Sequence, residues 1–330
     1  MKTSRRSLGH FVVFCAVAFF VGYFFSHYHF ALTVEDEYAG YEALARGTAR
    51  TPMQYRVLVP GLVQRLSSLP LLSTMSRMRL YKWFDHLSVF LLIVAFRQYL
   101  RRWFSSGVLA SLLSFAMPLV LPIAYIIAHR VRYPYDMPAI AFFVAGLICI
   151  KEKWWWRYYL LFPLATLNRE TSCFLTITYA LVSLGKTKNR VVVLHCAAQL
   201  TIWLSIKCML SAVYSDNIGP GLFENKLISN IHYLLTPRQW PFFFSILSYL
   251  WIPVLLFHRR IADEYVYRTL WMTVPFVVGM MIVGVISEMR IYGELYPIWL
   301  LAALLILKSF FLEECTAGPR PSASAPLSVS

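Results

Sequence analysis

Glu35, Asp36 and Glu37 stand side by side soon after the first apolar run of a 330-residue chain. Three adjacent carboxylates repel one another unless a cation or a base is near. Two chemistries suit them. Asp36, with Glu35 and Glu37 beside it, can act as a general base on a hydroxyl. Asp36 can instead supply oxygen to a divalent metal such as Mg or Mn. A solvated acidic loop end accounts for the same triplet without chemistry. The complementary set is Arg56, Arg132, Arg169 and Arg290, whose planar forks match phosphate or carboxylate. Around them lie Asp136, Asn168, Glu170, Glu288 and Glu294. Pairing inside the protein is the competing account: Arg132 with Asp136, Arg169 with Glu170 or Glu288, and Arg290 with Glu294. Asp136 also reads as a plain N-cap at the start of a helix. His27, His29 and His129 lie near the acids, as metal ligands or as ordinary interfacial histidines.

These groups need a scaffold, and composition says which kind. The chain is 58% hydrophobic and 16% aromatic, only 14% is charged, and the mean hydropathy is +0.58. Soluble domains carry roughly 25% charged residues, so a chain this apolar needs lipid around it. The expected fold is all-α, a polytopic bundle of about nine to ten membrane segments forming one domain over 1–315. Runs near the 20 apolar residues that a span requires fall at 11–30, 83–100, 106–128, 137–150, 158–184, 191–213, 240–257, 270–286 and 294–312. The first run follows Lys2, Arg5 and Arg6. It is longer than a typical signal-peptide core and lacks an A-x-A site, so a retained span is expected. The loop 31–82 contains an amphipathic stretch, Val57 to Leu66, too short to span and suited to an interfacial helix. A second polar loop occupies 214–239, and 316–330 reads as a disordered tail. The net charge of +15 is scattered between apolar runs, as in polybasic membrane loops, and no nucleic-acid partner is expected. Cys15, Cys149, Cys173, Cys196, Cys208 and Cys315 show no C-x-x-C spacing, which argues against a zinc site or a disulfide framework.

Lysine and arginine near span ends set the orientation. With the N-terminus in the cytoplasm, inner loops hold Arg97, Arg101 and Arg102, then Lys151, Lys153 and Arg157, then Lys186, Lys188 and Arg190, then Arg259, Arg260 and Arg268, with Lys308 at the last inner end. Basic groups flank 158–184 on both sides. That segment therefore reads as a hairpin of two short helices, 158–167 and 171–184, with Asn168-Arg169-Glu170 at its tip. One long helix with flipped later parity is the alternative. The hairpin places every group named above on the outer face of a cell (inner) membrane. Trp154-Trp155-Trp156 with Tyr158-Tyr159 fits an aromatic belt at the inner boundary.

An acidic residue soon after the first span, a long first outer loop with an interfacial helix, and many further spans resemble the GT-C superfamily of membrane glycosyltransferases. Asp36-Glu37-Tyr38 leading to Tyr41, Leu44 and Ala45 is similar to that family's first-loop pattern. Tyr55-Arg56-Val57-Leu58-Val59-Pro60, Leu167-Asn168-Arg169-Glu170-Thr171 and Glu288-Met289-Arg290 also resemble segments of a set of bacterial integral membrane proteins whose fold looks related. The chain departs from the superfamily in having no soluble C-terminal domain. The resemblance implies transfer of a sugar, with inversion, from a polyprenyl-phosphate donor to an acceptor on the extracytoplasmic face. It casts Asp36 as base, with or without the divalent metal beside it, and Arg56 and Arg169 at the leaving phosphate. Arg132, Asp136, Asn168, Glu170, Glu288, Arg290 and Glu294 complete the binding set. Two other classes share these residues. A transporter or flippase for an anionic lipid or solute would use the broken helix at Asn168. A non-catalytic membrane scaffold would use the charges for structure alone.

Overall fold

The computed structural model of the chain describes residues 2–72, 74–128 and 130–316. His129 and the tail beyond Thr316 lie outside them. The first apolar run forms a long helix, α1 (Lys2–Leu32). A short loop helix follows, α2 (Tyr41–Arg46), and then α3 (Leu58–Ser67), where an interfacial helix is expected. In α3, Val59 and Val63 are buried against Tyr41, Leu80 and Tyr81, a small core of the loop itself. α4 (Arg77–Leu100) begins at Ser76, whose hydroxyl accepts the Arg79 amide and caps the helix. α4 packs antiparallel along α1. Gly22 makes that approach possible, because a side chain there would press on His86 and the Phe90 backbone.

α5 (Gly107–Ser114) and α6 (Ala116–Pro122) run into a π-helical turn at Ile123–Ile127, making one apolar rod. α7 (Asp136–Glu152) is buried along most of its length. α8 (Trp155–Asn168) and α9 (Cys173–Ser183) are separated by an extended Arg169 and a single 3-10 turn at Glu170–Ser172. The chain reverses there: the Trp155 and Tyr179 rings, at opposite ends of the pair, lie 5.2 Å apart. The segment 158–184 is therefore a hairpin and not one long helix. α10 (Asn189–Val213) runs back beside it.

α11 (Leu227–Leu234) lies inside the second loop, which is more ordered than its polar composition suggests. Its Asn230 side chain donates to the carbonyls of Met281 at 2.9 Å and Gly284 at 2.7 Å and accepts the Ile286 amide. Asn230→Ala strands those groups and is expected to cost about 1–3 kcal/mol, seen as a lower Tm in detergent.

The run 240–257 departs from expectation. It is two short pieces, α12 (Trp240–Phe244) and α13 (Trp251–Leu256). Between them Leu247, Ser248 and Tyr249 have positive φ. The break is held by the Ser248 hydroxyl, 2.6 Å from the Val120 carbonyl and 2.9 Å from the Tyr296 hydroxyl. The described residues end with α14 (Glu264–Leu270), α15 (Thr273–Val283) and α16 (Tyr296–Thr316), the last preceded by a 3-10 stretch at Met289–Leu295. Among the described residues the only β-structure is a parallel two-residue pair. In it β1 (Val34–Glu35) lies on β2 (Val131–Arg132) and sets Glu35 opposite Arg132.

Among the described residues five helices are long and apolar enough to cross a membrane: Leu8–Leu32, Gly107–Ile127, Asn189–Val213, Glu264–Val283 and Met289–Phe311. Their outward surface is apolar, with Val13, Phe20, Phe24, Leu112, Leu119, Val193 and Leu194 exposed. Bare apolar surface on this scale is what lipid covers.

The two ends of the bundle differ. At one, Arg102 pairs with Glu152 at 2.8 Å, Lys186 with Glu264 at 2.5 Å, and Lys308 donates to the Trp103 carbonyl at 2.7 Å. This is the basic end. The other, the polar end, gathers the C-terminus of α1, the N-termini of α4 and α7, the hairpin tip and the Met289–Leu295 stretch.

Candidate functional site

Asp36 sits where the chain leaves β1. Its Oδ1 accepts the amides of Tyr38 and Ala39, both at 2.8 Å, in an Asx-type turn. Its Oδ2 accepts the Tyr133 hydroxyl at 2.6 Å. Burial pushes the Tyr133 phenol well above its ordinary range, so it remains a donor. Glu35 accepts the Tyr41 amide at 2.9 Å and lies 3.7 Å from Arg132. Glu37 is exposed and stands outside the network. The triplet thus divides by role, because β1 pairing turns Glu35 onto Arg132 while the Asx turn aims Asp36 at Tyr133.

From Tyr133 the network goes inward. The Arg290 guanidinium stacks on the Tyr133 ring, 3.9 Å from its centroid. It reaches Asp136 at 3.4 Å and also pairs with Glu288. Asp136, fully buried, lies 3.7 Å from Arg169 as well. Arg169 lies 3.4 Å from Glu294, which accepts the Thr171 hydroxyl. Asn168 donates to the Tyr135 carbonyl at 2.9 Å. On the other flank Arg56 grips Glu170 with both arms, at 3.0 and 3.3 Å, and donates to the Tyr135 hydroxyl at 2.5 Å. Burial holds the Tyr135 phenol up at about 12, so it too stays protonated.

Asp36, Arg56, Asp136, Asn168, Arg169, Glu170, Glu288, Arg290 and Glu294 are therefore joined through Tyr133 and Tyr135, whose rings stack 5.2 Å apart, while Glu35 and Arg132 form a separate pair beside them and Glu37 is exposed. Asp136, Asn168, Arg169, Arg290 and Glu294 form a buried floor, and Glu35, Asp36, Arg56, Glu170 and Glu288 a half-buried rim. The individual pairings differ from those the sequence suggests. Arg169 does not pair with Glu170: one is extended and the next opens a 3-10 turn, so the two side chains diverge. Arg290 and Glu294 share a 3-10 stretch, where three residues complete a turn, so a spacing of four does not align them. Arg132 pairs with Glu35 and not Asp136, because β2 lies on β1.

The histidines go elsewhere. His29 is buried against Asp85 at 3.2 Å, His27 is near Lys82, and His129 lies outside the described residues. Among the described residues no three His, Cys, Asp or Glu side chains gather as a metal would require. Both Asp36 oxygens already serve amide or phenol donors, and Glu35 is held by Tyr41 and Arg132. This donor set does not fit a divalent ion, and no step is derived through one.

The sequence sets Tyr133 and Tyr135 beside Arg132 and Asp136 in the polar cluster without giving them a role, and nothing in it marks Tyr125. Tyr133-Pro134-Tyr135 carries no catalytic signature, yet its phenols join rim to floor. Tyr125, in the π-helical turn, donates to the Arg290 carbonyl at 3.0 Å. π-turns of this kind recur at functional sites. Gly293 lets that phenol in, since a methyl there would overlap its hydroxyl. Gly293→Ala is expected to lower stability by about 1–3 kcal/mol through overpacking, read as a lower Tm.

The site is sunken. The Trp203 indole on α10 donates to the Glu170 carbonyl at 2.8 Å. Ten further residues of α10 rise beyond it, about 15 Å at 1.5 Å per residue. No family model matches the chain, and neither a curated protein nor a solved structure does.

Proposed function

We propose that this protein is a membrane glycosyltransferase of the GT-C kind, multi-pass with its N-terminus in the cytoplasm. It would move a sugar from a polyprenyl-phosphate donor to an acceptor hydroxyl at the extracytoplasmic face. The reading is supported above all by one observation: a carboxylate at the rim, Asp36, shares a continuous network with the guanidinium groups of Arg56, Arg169 and Arg290. That is the pairing of base and anion stabiliser that displacement of a phosphate needs. The polar end is taken as the outer face because each short connection at the opposite end, around 97–102, 151–157, 186–190 and 259–268, is basic.

The donor head group would reach the sunken rim from the bilayer. Arg56 is the rim guanidinium, its side chain 13% exposed, and it would exchange Glu170 for the donor phosphate. Asp36 would take the acceptor proton as the acceptor oxygen bonds to the anomeric carbon. The anomeric carbon–oxygen bond breaks on the opposite side, leaving the polyprenyl phosphate with the electron pair and inverting the anomeric centre. Arg169 and Arg290 are buried beneath the rim and would act on the developing charge through their field and not by direct contact.

A transporter needs a polar path to the basic end. Beneath the floor stand Ile140, Phe143, Val144, Leu147, Phe162 and Leu175, all buried. That apolar layer favours the enzyme over the flippase.

The test is incubation of the purified full-length protein with radiolabelled polyprenyl-phosphate sugars and membrane-extracted acceptors. Wild type is expected to move label, and Arg56→Gln to raise the KM for donor about tenfold or more, the loss of a charge-assisted pair. No label transfer by wild type from any such donor would sink the reading.

A further inference from the structure

Arg97 sets up a second site at the basic end. Its side chain is buried, with the residue 6% exposed. Its Nε donates to the Ser111 hydroxyl at 2.7 Å, and the guanidinium lies 5.0 Å from the ring centres of both Phe11 and Phe14. Among the described residues no carboxylate comes within ion-pair range of it. The other deeply buried arginines all differ: Arg132 has Glu35, Arg169 has Asp136 and Glu294, and Arg290 has Asp136 and Glu288. A guanidinium cannot shed its proton, and a buried charge is costly unless something opposes it. Two aromatic faces offset part of that cost, and an anion would offset the rest.

Arg97 lines a hollow of about 590 Å³ between α1, α4 and α5, with His10, Val17, Arg101, Leu112 and Phe115 also in its wall. That volume is in the range of ligand sites. Val17 and Phe115 also border a second hollow of about 540 Å³, almost wholly apolar, which continues along the seam of α1 toward Leu32 and Ile127. The combination is a cationic pocket at the membrane boundary continuing into an apolar surface groove in the hydrocarbon region. A soluble anion has no use for the groove. A neutral lipid has no use for the buried charge.

We propose that this hollow holds one anionic phospholipid of the leaflet at the basic end, its phosphate on Arg97 and Arg101 and one acyl chain along the seam between α1 and the Gly107–Ile127 rod. The site is remote from the Asp36 network and stands or falls separately from the transferase reading. Its effect is to fasten α1, the least enclosed helix of the pair, to α4.

Native mass spectrometry of the delipidated full-length protein tests it, with dioleoylphosphatidylglycerol and dioleoylphosphatidylcholine titrated in turn and inorganic phosphate as a third arm. Wild type is expected to saturate with a single phosphatidylglycerol at least tenfold more tightly than with phosphatidylcholine. Arg97→Gln should abolish that preference. Leu112→Trp keeps the charges but fills the hollow, and should lower occupancy at least fivefold, which preserves the test if Arg97→Gln does not fold. Equal binding of the two lipids by wild type, unchanged occupancy in Leu112→Trp, or displacement of phosphatidylglycerol by millimolar inorganic phosphate would each overturn the proposal.

Discussion

Asp136→Asn is expected to destabilise the protein by about 3–5 kcal/mol, the usual consequence of removing one partner from a buried ion cluster. Asp136 is fully buried and lies within 3.4 Å of Arg290 and 3.7 Å of Arg169. Asparagine keeps the shape and removes the charge. Glu294 and Glu288 then each face one arginine alone, and repulsion between the two guanidinium groups is no longer screened by the carboxylate between them. Water offers little relief at a floor this enclosed, and membrane-buried ionisable groups depend on one another for that reason. The corresponding fall in Tm is roughly 10 °C, at about 2–4 °C per kcal/mol for a chain of this order. Thermal unfolding in detergent, followed by tryptophan fluorescence, measures it. The double variant Asp136→Asn/Arg290→Gln should recover part of the loss, because the two changes act on one pair. A single variant as stable as wild type would mean that Asp136 is not the hub of the floor.

The positions of these groups are largely legible in the sequence, whereas their partners are not. Lysine and arginine at span ends sort the loops into two sets. That sorting alone brings Asp36, Arg56, Arg132, Asp136, Arg169 and Arg290 to one end, as the structure has them. The hairpin follows from Arg157 and Lys186 flanking a single run, since both ends of an uninterrupted helix cannot lie on one side. Which acid meets which arginine depends instead on local backbone. Extended Arg169, the 3-10 turns after it and before α16, and the two-residue strand pair each rotate a side chain by an amount that no periodicity in the sequence announces. Asp85 is a different kind of miss. It is an ionisable residue inside an apolar run, and that alone marks it as needing a partner. His29, 56 positions earlier, becomes that partner only because α1 and α4 lie antiparallel. The 240–257 run shows the converse. Its hydropathy suits a span, but Pro241, Pro253 and three positive-φ residues divide it, and hydropathy does not register backbone.

Asp36→Asn is expected to remove transfer activity by a factor of about 10²–10⁴, the usual contribution of a positioned general base, while leaving stability close to that of wild type. The reason for the separation is geometric. The Asp36 Oδ1 position accepts two amides at 2.8 Å, and the carbonyl oxygen of an asparagine accepts the same two, so the turn survives. What changes is the Oδ2 position. An amide nitrogen there no longer accepts the Tyr133 hydroxyl and has no lone pair for an acceptor proton. The rim is half-exposed, so this adjustment costs little compared with a change at the floor. Tyr133→Phe supplies the graded control: it removes the 2.6 Å hydrogen bond that orients Asp36 but leaves the carboxylate. A loss nearer tenfold in kcat, with donor KM little changed, is expected of a positioning residue. Glu37→Gln, at an exposed carboxylate outside the network, should leave both constants unaltered. Label transfer at the wild-type rate in Asp36→Asn would remove the base from the mechanism, and with it the reason for reading the polar end as a catalytic site instead of a structural ion cluster.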